Sequence, residues 1–584
     1  MSWPEENIMM KSNQSVSEIL RTGGILALCA GMVLSAGLAL ADNSKVAKDL
    51  RDKTKGSKAT VDVIVQFTRV PDERDHKKFK DKGGKLKRSL EAVRAAAYTV
   101  PADELDKLAD DADVVYISPD RPLQGSLNYA KPTVNGGIAY YNGYTGTGIG
   151  VAVIDSGITP GSDFNFKNSW TSRIVYSESF NGSGTTDAYG HGTHVAGILA
   201  GNGANSSGDN SIGMYGIAQN ANIINLRVLD ANGAGTDSQV IAAIQRAIQL
   251  KSQYNIRVIN LSLGRPVFES YTLDPLCQAV EAAWQAGIVV VVAAGNQGRN
   301  NSAGINGYAT IGSPGNDPYV ITVGAMKTLD TSSRADDQIA SYSSKGPTAI
   351  DHVVKPDLVA PGNRTISARA VGSTLDLIYP GNVVPVSYYK PGSSSTQSKY
   401  YRLSGTSMAA PVVSGAAALL LQKDPTLTPN TVKARLMKTA SKSFPMTSTA
   451  TDPVTGVTYT SQYDMFTVGA GYLDVWAALN NNETTSGTAL SPTVVYSSNN
   501  KKVSVVTGTS VVWGDTATWG LSVVWGTSVF AGSSSVVWGD SVVWGNGTSG
   551  GFSVIWGDSV VWGDSVIWGD SVIWGDSVAT GGEN

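Results

Sequence analysis

Three short blocks, far apart in the chain, supply residue types that together could carry out nucleophilic catalysis. Asp155 lies in Val-Ile-Asp-Ser-Gly, His191 begins His-Gly-Thr-His-Val-Ala-Gly, and Ser407 lies in Gly-Thr-Ser-Met-Ala-Ala-Pro. A serine hydroxyl is a weak nucleophile at its ordinary pKa, so it needs a base in hydrogen-bond contact. That base in turn needs a group that orients it. A carboxylate, an imidazole and a hydroxyl provide these three parts.

Each block taken alone also has an ordinary structural explanation. Asp155 could be a turn residue before a glycine, and Ser407 could cap a helix. His194 lies three residues after His191 on the same helical face and favours a packing role. A His191/His194 metal pair is the rival explanation, but the zincin pattern needs four-residue spacing and an intervening glutamate. The combination of the three blocks, in the order Asp, His, Ser, favours catalysis.

The three blocks resemble the motifs of the subtilisin-like serine proteases (subtilases), which have the same chain order. The resemblance implies that Ser407 is the nucleophile, His191 the base and Asp155 the residue that orients the base. A fourth block, Ala-Ala-Gly-Asn, maps the side-chain oxyanion donor to Asn296, with the Ser407 backbone N–H as second donor. The implied activity is an exported endopeptidase of broad specificity that cleaves proteins or peptides and needs no cofactor for its chemistry.

The resemblance also implies a set of substrate-binding residues. They are Gly233, Ala234, Gly235, Ser262, Leu263, Gly264 and Gly312. In the family, two of these segments pair with the peptide backbone as β-strands, although plain glycine-containing loops would have the same appearance. The loop around Gly312 resembles the floor of the primary specificity pocket and contains no acid. We therefore expect large apolar residues before the cleaved bond, rather than lysine or arginine.

The elements that must position these residues follow from the apolar pattern between residues 126 and 480. Continuous apolar runs predict buried strands at residues 149–154, 223–228, 258–262 and 289–293, and helical patterns cover 238–254 and 273–286. Strands that alternate with helices predict an α/β fold, a doubly wound and mainly parallel sheet covered on both faces. Ligand sites in such sheets lie outside the carboxyl ends of the strands. Asp155 and Asn296 fall at or just past such ends.

The region before the predicted catalytic domain has two parts. Lys11 and Arg21 precede an apolar run over 25–41 that ends in Ala-Leu-Ala, so residues 1–41 are interpreted as a signal peptide. An uncleaved membrane anchor is the alternative. Residues 42–125 are rich in lysine and arginine, with strands expected at 61–67 and 114–118. This small α+β module resembles the ferredoxin-like propeptide of subtilases, which implies an intramolecular inhibitor; an ordinary retained domain is the alternative.

The region after the predicted catalytic domain also has two parts. Residues 481–500 are rich in Asn, Ser and Thr and are interpreted as a linker, and residues 501–584 repeat the hexapeptide Ser-Val-Val-Trp-Gly-Asp. An even period places indoles six residues apart on one face of an extended chain. This β-prone tail supports a competing hypothesis. In it the protein is a surface adhesion or matrix protein, and the tail contacts cell-wall glycans, docks on the protease or associates with itself.

Composition and cysteine content exclude several other functions. The net charge is −3, and no basic stripe or nucleic-acid motif is present, so nucleic-acid binding is not expected. After signal removal only Cys277 remains, so no disulfide can form within the chain, and Cys277 is interpreted as a small buried hydrophobe. Residues 209–213 form an oxygen-rich loop that would suit calcium. A plain polar turn explains this loop equally well, so no metal ligand is assigned and structural calcium stays an open alternative.

Overall fold

The computed structural model describes most of the chain in two units. The described residues are 45–46, 50–51, 59–90, 94–119, 129–208, 211–301, 304–452, 455–485, 487–497, 502–506, 542–543 and 572–575. The division between the two units falls after Gln124. The predicted signal peptide, residues 1–41, and most of the predicted repeat region lie outside the described residues.

The N-terminal unit is a small antiparallel α+β module. Its strands are β1 (Thr60–Phe67), β2 (Lys85–Leu90), β3 (Ala95–Pro101) and β4 (Val114–Pro119), and its helices are Glu73–Asp81 and Leu105–Ala109, the second preceded by the 3₁₀ turn Ala102–Glu104. The sheet order β2-β3-β1-β4 and the β-α-β-β-α-β chain order are those of a split βαβ module. Alternating small and apolar side chains of β1 and β3 form its core.

The C-terminal unit is built on a mainly parallel sheet of eight strands. These strands are β5 (Gly150–Asp155), β6 (Ile174–Ser179), β7 (Asn222–Arg227), β9 (Ile256–Leu261), β11 (Val289–Ala293), β12 (Ile321–Lys327), β13 (Gln338–Ile339) and β14 (Leu358–Pro361). All neighbouring pairs are parallel except β12 with β13. The central strands are buried along their whole length, which explains why their sequences are continuous apolar runs rather than alternating ones.

Helices and short strands surround this sheet. The helices are Ala130–Thr133, Gly136–Tyr141, His191–Ala200, Asp237–Gln249, Lys251–Tyr254, Pro275–Gln285, Thr374–Ile378, Val386–Tyr389, Thr406–Lys423, Pro429–Thr439, Met465–Val468 and Val475–Asn480, with 3₁₀ turns at Ser162–Phe164, Ala204–Ser206 and Pro380–Asn382. The remaining strands are β8 (Ala234–Thr236), β10 (Leu263–Gly264), β15 (Thr365–Ala368), β16 (Tyr400–Leu403), β17 (Thr447–Thr451), β18 (Thr458–Gln462), β19 (Thr493–Ser497), β20 (Lys502–Val506), β21 (Val542–Val543) and β22 (Val572–Gly575). The predicted α/β architecture is therefore confirmed.

Residues 481–497, which belong to the segment 481–500 expected to be a linker, pack onto the C-terminal unit. Ala489 and Val494 belong to its main hydrophobic core, each 1% exposed. The Ser491 hydroxyl accepts a hydrogen bond from Lys433 Nζ (2.9 Å) and donates one to Asp357 Oδ1 (2.5 Å). Asp357 also lies 2.7 Å from Lys355 Nζ. This buried polar cluster fastens the polar segment to the domain, so the domain extends past residue 480.

One stretch of the repeat region forms a strand within the C-terminal unit. The four residues of β22 lie between β8 and β10 and run antiparallel to both. Upstream, β19 and β20 form an antiparallel hairpin to which β21 adds a third strand. The β-prone repeat sequence therefore pairs with strands at two places within the described residues.

Candidate active site

The carboxyl ends of three adjacent parallel strands gather the predicted residues at one edge of the sheet. Asp155 is the last residue of β5, Ser262 follows directly after β9, and Asn296 lies three residues past the end of β11. Strand β9 pairs with both β5 and β11. Parallel neighbours end at the same edge, so this order alone brings the three residues together.

Asp155 and His191 form a buried hydrogen-bonded pair. The Nδ1 atom of His191 lies 2.8 Å from Asp155 Oδ1, and the two side chains are 0% and 1% exposed. The same oxygen accepts a hydrogen bond from the Ser156 backbone N–H (2.7 Å). Since a carboxylate oxygen accepts, Nδ1 of the neutral ring carries the proton and Nε2 carries the lone pair. That tautomer can accept a proton at Nε2.

Gly192 allows the helix that begins at His191 to approach Asp155 closely. A Cβ atom at this position would lie 2.3 Å from the Gly157 carbonyl oxygen and 3.1 Å from Asp155 Oδ1. The preceding Gly190 has φ of 105°, a backbone conformation that side chains disfavour. The glycines on either side of His191 therefore place its ring against the carboxylate.

Ser407 lies in the first turn of the long helix Thr406–Lys423, beside the end of β9. Its hydroxyl donates to the Ser262 carbonyl oxygen (3.1 Å), and the Ser262 hydroxyl donates to the Ser407 carbonyl oxygen (2.8 Å). These reciprocal contacts fix the start of the helix to the edge of the sheet. The position of Ser407 at the positive end of the helix dipole would favour negative charge there.

The amide group of Asn296 is oriented by the residue before Ser407. Its Oδ1 accepts hydrogen bonds from the Thr406 backbone N–H (2.9 Å) and the Thr406 hydroxyl (3.3 Å). Because a backbone N–H can only donate, the oxygen end of the amide must face Thr406. The NH₂ group is then the donating end of the Asn296 side chain, whose orientation is fixed by the helix Thr406–Lys423.

The predicted substrate-binding residues border a gap one strand wide. Residues 233–235 and 262–264 contribute β8 and β10, which do not pair with each other because β22 lies between them. Gly233 has φ of 79°, and a Cβ there would lie 2.6 Å from the Tyr189 ring. Gly312 lies on the far side of β10, where a Cβ would lie 2.9 Å from the Arg265 carbonyl oxygen. Small residues at these positions leave the backbone edges accessible.

Comparison with known proteins identifies the family. The sequence profile described as Subtilase family matches residues 146–471 of this chain. The chain belongs to the subtilase family. It is a serine endopeptidase.

Several curated proteins resemble about three fifths of the chain. Serine protease AprX of Bacillus subtilis (strain 168) is 37% identical over 371 residues, which cover 61% of this chain and 76% of that protein. Subtilisin NAT of Bacillus subtilis subsp. natto is 35% identical over 364 residues, which cover 62% and 79%. Alkaline protease of Alkalihalobacillus alcalophilus is 31% identical over 358 residues, which cover 61% and 76%.

Asp187 supports the active site of this protease, although the sequence analysis did not single it out. Its carboxylate is buried and accepts hydrogen bonds from the Ser156 hydroxyl (2.8 Å) and from the backbone N–H groups of Gly190 (2.7 Å) and Thr193 (2.8 Å). The Ser156 hydroxyl accepts in turn from Gly192 N–H (2.9 Å). Burial raises the pKa of Asp187. The available sequence signal for this network was an acidic residue, Asp187, four residues before the first residue of the helix, His191.

The stretch from 363 to 401 packs against the segment before His191. Thr374 N–H donates to the Ala188 carbonyl (3.0 Å), and Leu375 N–H donates to the Tyr189 carbonyl (2.9 Å). The Tyr401 hydroxyl closes this contact by donating to the Leu375 carbonyl (2.8 Å). The stretch therefore stabilises the backbone that leads into the helix His191–Ala200.

His194 and Cys277 are both buried and pack inside the C-terminal unit. His194 Nε2 lies 3.1 Å from the carbonyl oxygens of Thr365 and Tyr401, so it must be the protonated nitrogen. Burial, with a smaller contribution from His191, lowers the pKa of His194 to about 3. Burial likewise raises the pKa of the Cys277 thiol. Neither residue has the environment of a nucleophile or a base.

Two features of the described part of the chain concern metal binding and the membrane. No group of three or more His, Cys, Asp or Glu side chains is arranged there to hold a metal ion. Asp209 and Asn210 of the calcium-like loop lie outside the described residues. Among the helices described, none has both the length and the apolar character needed to cross a bilayer.

The neutral, buried state of His194 predicts how stability depends on pH. Between pH 6.5 and about 3 the unfolded chain protonates this residue while the folded chain does not. Stability should therefore fall as pH decreases through this window, by up to about 1.4 kcal/mol per pH unit from this residue. The free energy of unfolding can be measured with urea at several pH values in a Ser407→Ala background. It should decrease less steeply with falling pH when His194→Asn is added. His76→Asn, in the N-terminal unit, is the control, and equal slopes for the two variants would contradict the assignment.

Proposed function

We propose that Ser407 attacks the scissile carbonyl while His191 Nε2 takes the hydroxyl proton and Asp155 stabilises the resulting imidazolium. The buried Asp155–His191 hydrogen bond is the observation that carries this proposal, because it sets the tautomer that a general base requires. The C–N bond then breaks as His191 returns the proton to the leaving amine. Water, activated by the same imidazole, hydrolyses the acyl-enzyme and regenerates the Ser407 hydroxyl.

We further propose that Asn296 and the Ser407 backbone N–H stabilise the oxyanion of the tetrahedral intermediate. The hydrogen bonds from Thr406 to Asn296 Oδ1 support this role, because they hold the NH₂ group in a donating orientation before substrate binds. A donor that is already oriented costs no reorganisation when the charge develops. The helix N-terminus at Ser407 adds a favourable dipole.

Substrate is proposed to enter the gap between β8 and β10 as an extended strand. Backbone hydrogen bonds to both walls would give binding with little sequence preference, which agrees with the expected broad specificity. The loop around Gly312 is proposed to form the floor of the pocket for the residue before the scissile bond. The nearby Asp274 is fully buried, and its two oxygens bind Arg265 Nη2 (2.9 Å) and the Ser313 hydroxyl (2.7 Å). No acid in this loop is therefore available to select a basic residue.

The remaining parts of the chain are proposed to serve export and maturation. Residues 1–41 would direct secretion and be removed, and residues 42–125 would act as an intramolecular inhibitor that is cut off near residue 125. The basic residues Lys11 and Arg21 before the apolar run, and the Ala-Leu-Ala site after it, support the first assignment. The family match supports the endopeptidase function and gives no support to the alternative of an adhesion protein.

Covalent labelling tests the proposed nucleophile. A serine-directed phosphonate should label the wild-type enzyme at one site, and Ser407→Ala should lose both the label and peptidase activity. Ser394→Ala, an exposed serine in the same region, is the matched control and should keep both. Mass spectrometry of the labelled peptide checks the position. Retention of the label in Ser407→Ala would overturn the assignment.

Substitution of the proposed oxyanion donor tests its role in the transition state. Asn296→Leu should lower kcat by about 10²–10³-fold with little change in KM, because the lost hydrogen bond forms only as charge develops. The exposed neighbour Gln297→Leu should stay within about two-fold of wild type. Steady-state kinetics with a chromogenic peptide make the measurement. A rise in KM at constant kcat would indicate a ground-state binding role instead.

A peptide panel tests the proposed specificity. Substrates that differ only in the residue before the scissile bond should rank Phe, Tyr and Leu above Lys and Arg by about ten-fold or more in kcat/KM. The physical reason is that a basic side chain would be desolvated beside a pocket floor without an available carboxylate. Strict preference for arginine would contradict the pocket assignment.

A further inference from the structure

A segment of the chain's own repeat tail occupies the gap between the two strands that border the active site. Strand β22 (Val572–Gly575) is the central strand of a three-stranded sheet with β10 on one side and β8 on the other. Trp574 is opposite Ala234 on one side and Gly264 on the other. The tail segment therefore uses the backbone edges of both walls at once.

The direction of this strand is that of a chain leading toward the nucleophile. Val572 is opposite Thr236, and Gly575 is opposite Leu263. Leu263 directly follows Ser262, whose carbonyl oxygen accepts the hydrogen bond from the Ser407 hydroxyl. The described strand thus runs from the outer end of the gap toward the catalytic serine, antiparallel to each wall.

The local sequences on both sides suit this pairing. Val572, Ile573 and Trp574 are of the residue types that favour β-strands. The residues of β8 and β10 that lie opposite this segment are small. Gly235 is opposite Ile573, and Ala234 and Gly264 are opposite Trp574. The tail segment forms the same kind of backbone pairing that any extended peptide would form at two open sheet edges.

We propose that residues 572–575 act as a built-in competitor of peptide substrates by occupying the substrate gap of the same chain. The proposal rests on the proposed substrate path between β8 and β10. One strand fills a gap one strand wide, since neighbouring strands are about 4.8 Å apart. Substrate can bind only to the fraction of molecules whose tail has left, so the tail raises the apparent KM and leaves kcat unchanged.

The repeat provides a matched control for testing which segment binds. Residues 566–569 have the same Val-Ile-Trp-Gly sequence as residues 572–575, one repeat earlier. Directly opposed residues of an antiparallel pair have Cα atoms about 4.5–5.5 Å apart, which is within disulfide range. Disulfide formation between one cysteine in β8 and one in β22 therefore reports whether residues 572–575 occupy the gap. This measurement does not depend on catalytic activity.

The first experiment uses the full chain with Ser407→Ala and Cys29→Ser. Ala234→Cys with Trp574→Cys should form an intrachain disulfide under mild oxidation, detected by mass spectrometry of the digested protein. Ala234→Cys with Trp568→Cys should form at least five-fold less. No disulfide for Trp574→Cys, equal yields for both pairs, or a crosslinked dimer would each overturn the assignment to this segment of the same chain. Because this chain is inactive, the result is separate from the phosphonate test of the proposed catalysis.

The second experiment measures the inhibitory effect in the active full-length enzyme. Proline in a central strand removes a backbone hydrogen bond of the sheet and disfavours pairing. Ile573→Pro should lower KM for a short peptide substrate by roughly ten-fold if the gap is occupied nine-tenths of the time, with kcat unchanged. Ile567→Pro should behave as wild type. A KM for Ile573→Pro that equals the wild-type value would contradict the inhibitory role.

Discussion

The active site depends on one buried hydrogen bond, between the Asp155 carboxylate and the His191 imidazole. Both groups are removed from water, so every polar atom around them must find a protein partner or cost free energy. The structure meets this requirement for Asp155 Oδ1 and for the backbone N–H groups at the start of the helix by sharing acceptors. Asp155 Oδ1 accepts from both His191 and the Ser156 backbone, while the Ser156 hydroxyl and Asp187 take the free N–H groups at the start of the His191 helix. The helix cannot move without breaking several of these bonds together.

A second constraint lies beside this site. Strands β8 and β10 are too far apart to pair directly with each other. Strands β8 and β10 leave a place for one more strand, and unsatisfied backbone groups at such an edge favour any extended chain that can reach them. On the proposed substrate path, this edge would bind peptides with little regard to sequence. The edge also creates a hazard, since the chain itself carries β-prone repeats. Occupation of this place by β22 is a direct consequence of that physical chemistry.

Much of the catalytic fold could be predicted from the sequence because buried parallel strands are uniformly apolar. The expected strand at residues 289–293 has the observed bounds, and the one at 149–154 shifts by a single residue. The packing of segment 481–497 could not be predicted in this way. Its polar composition indicated a linker, but Ser491 joins a buried network with Asp357 and Lys433. Composition does not reveal that a polar side chain will find buried partners 134 and 58 residues away in sequence.

The sequence by itself determined the residue types proposed for catalysis. Asp155, His191 and Ser407 lie in motifs whose glycines and small residues have specific geometric roles. Only the tertiary structure decided how these residues are held. The contribution of Asp187, the orientation of the Asn296 amide by Thr406, and the pairing of β22 with two wall strands all depend on contacts between distant segments. Such contacts are set by the packing of the whole sheet and its helices, and no local pattern in the chain encodes them.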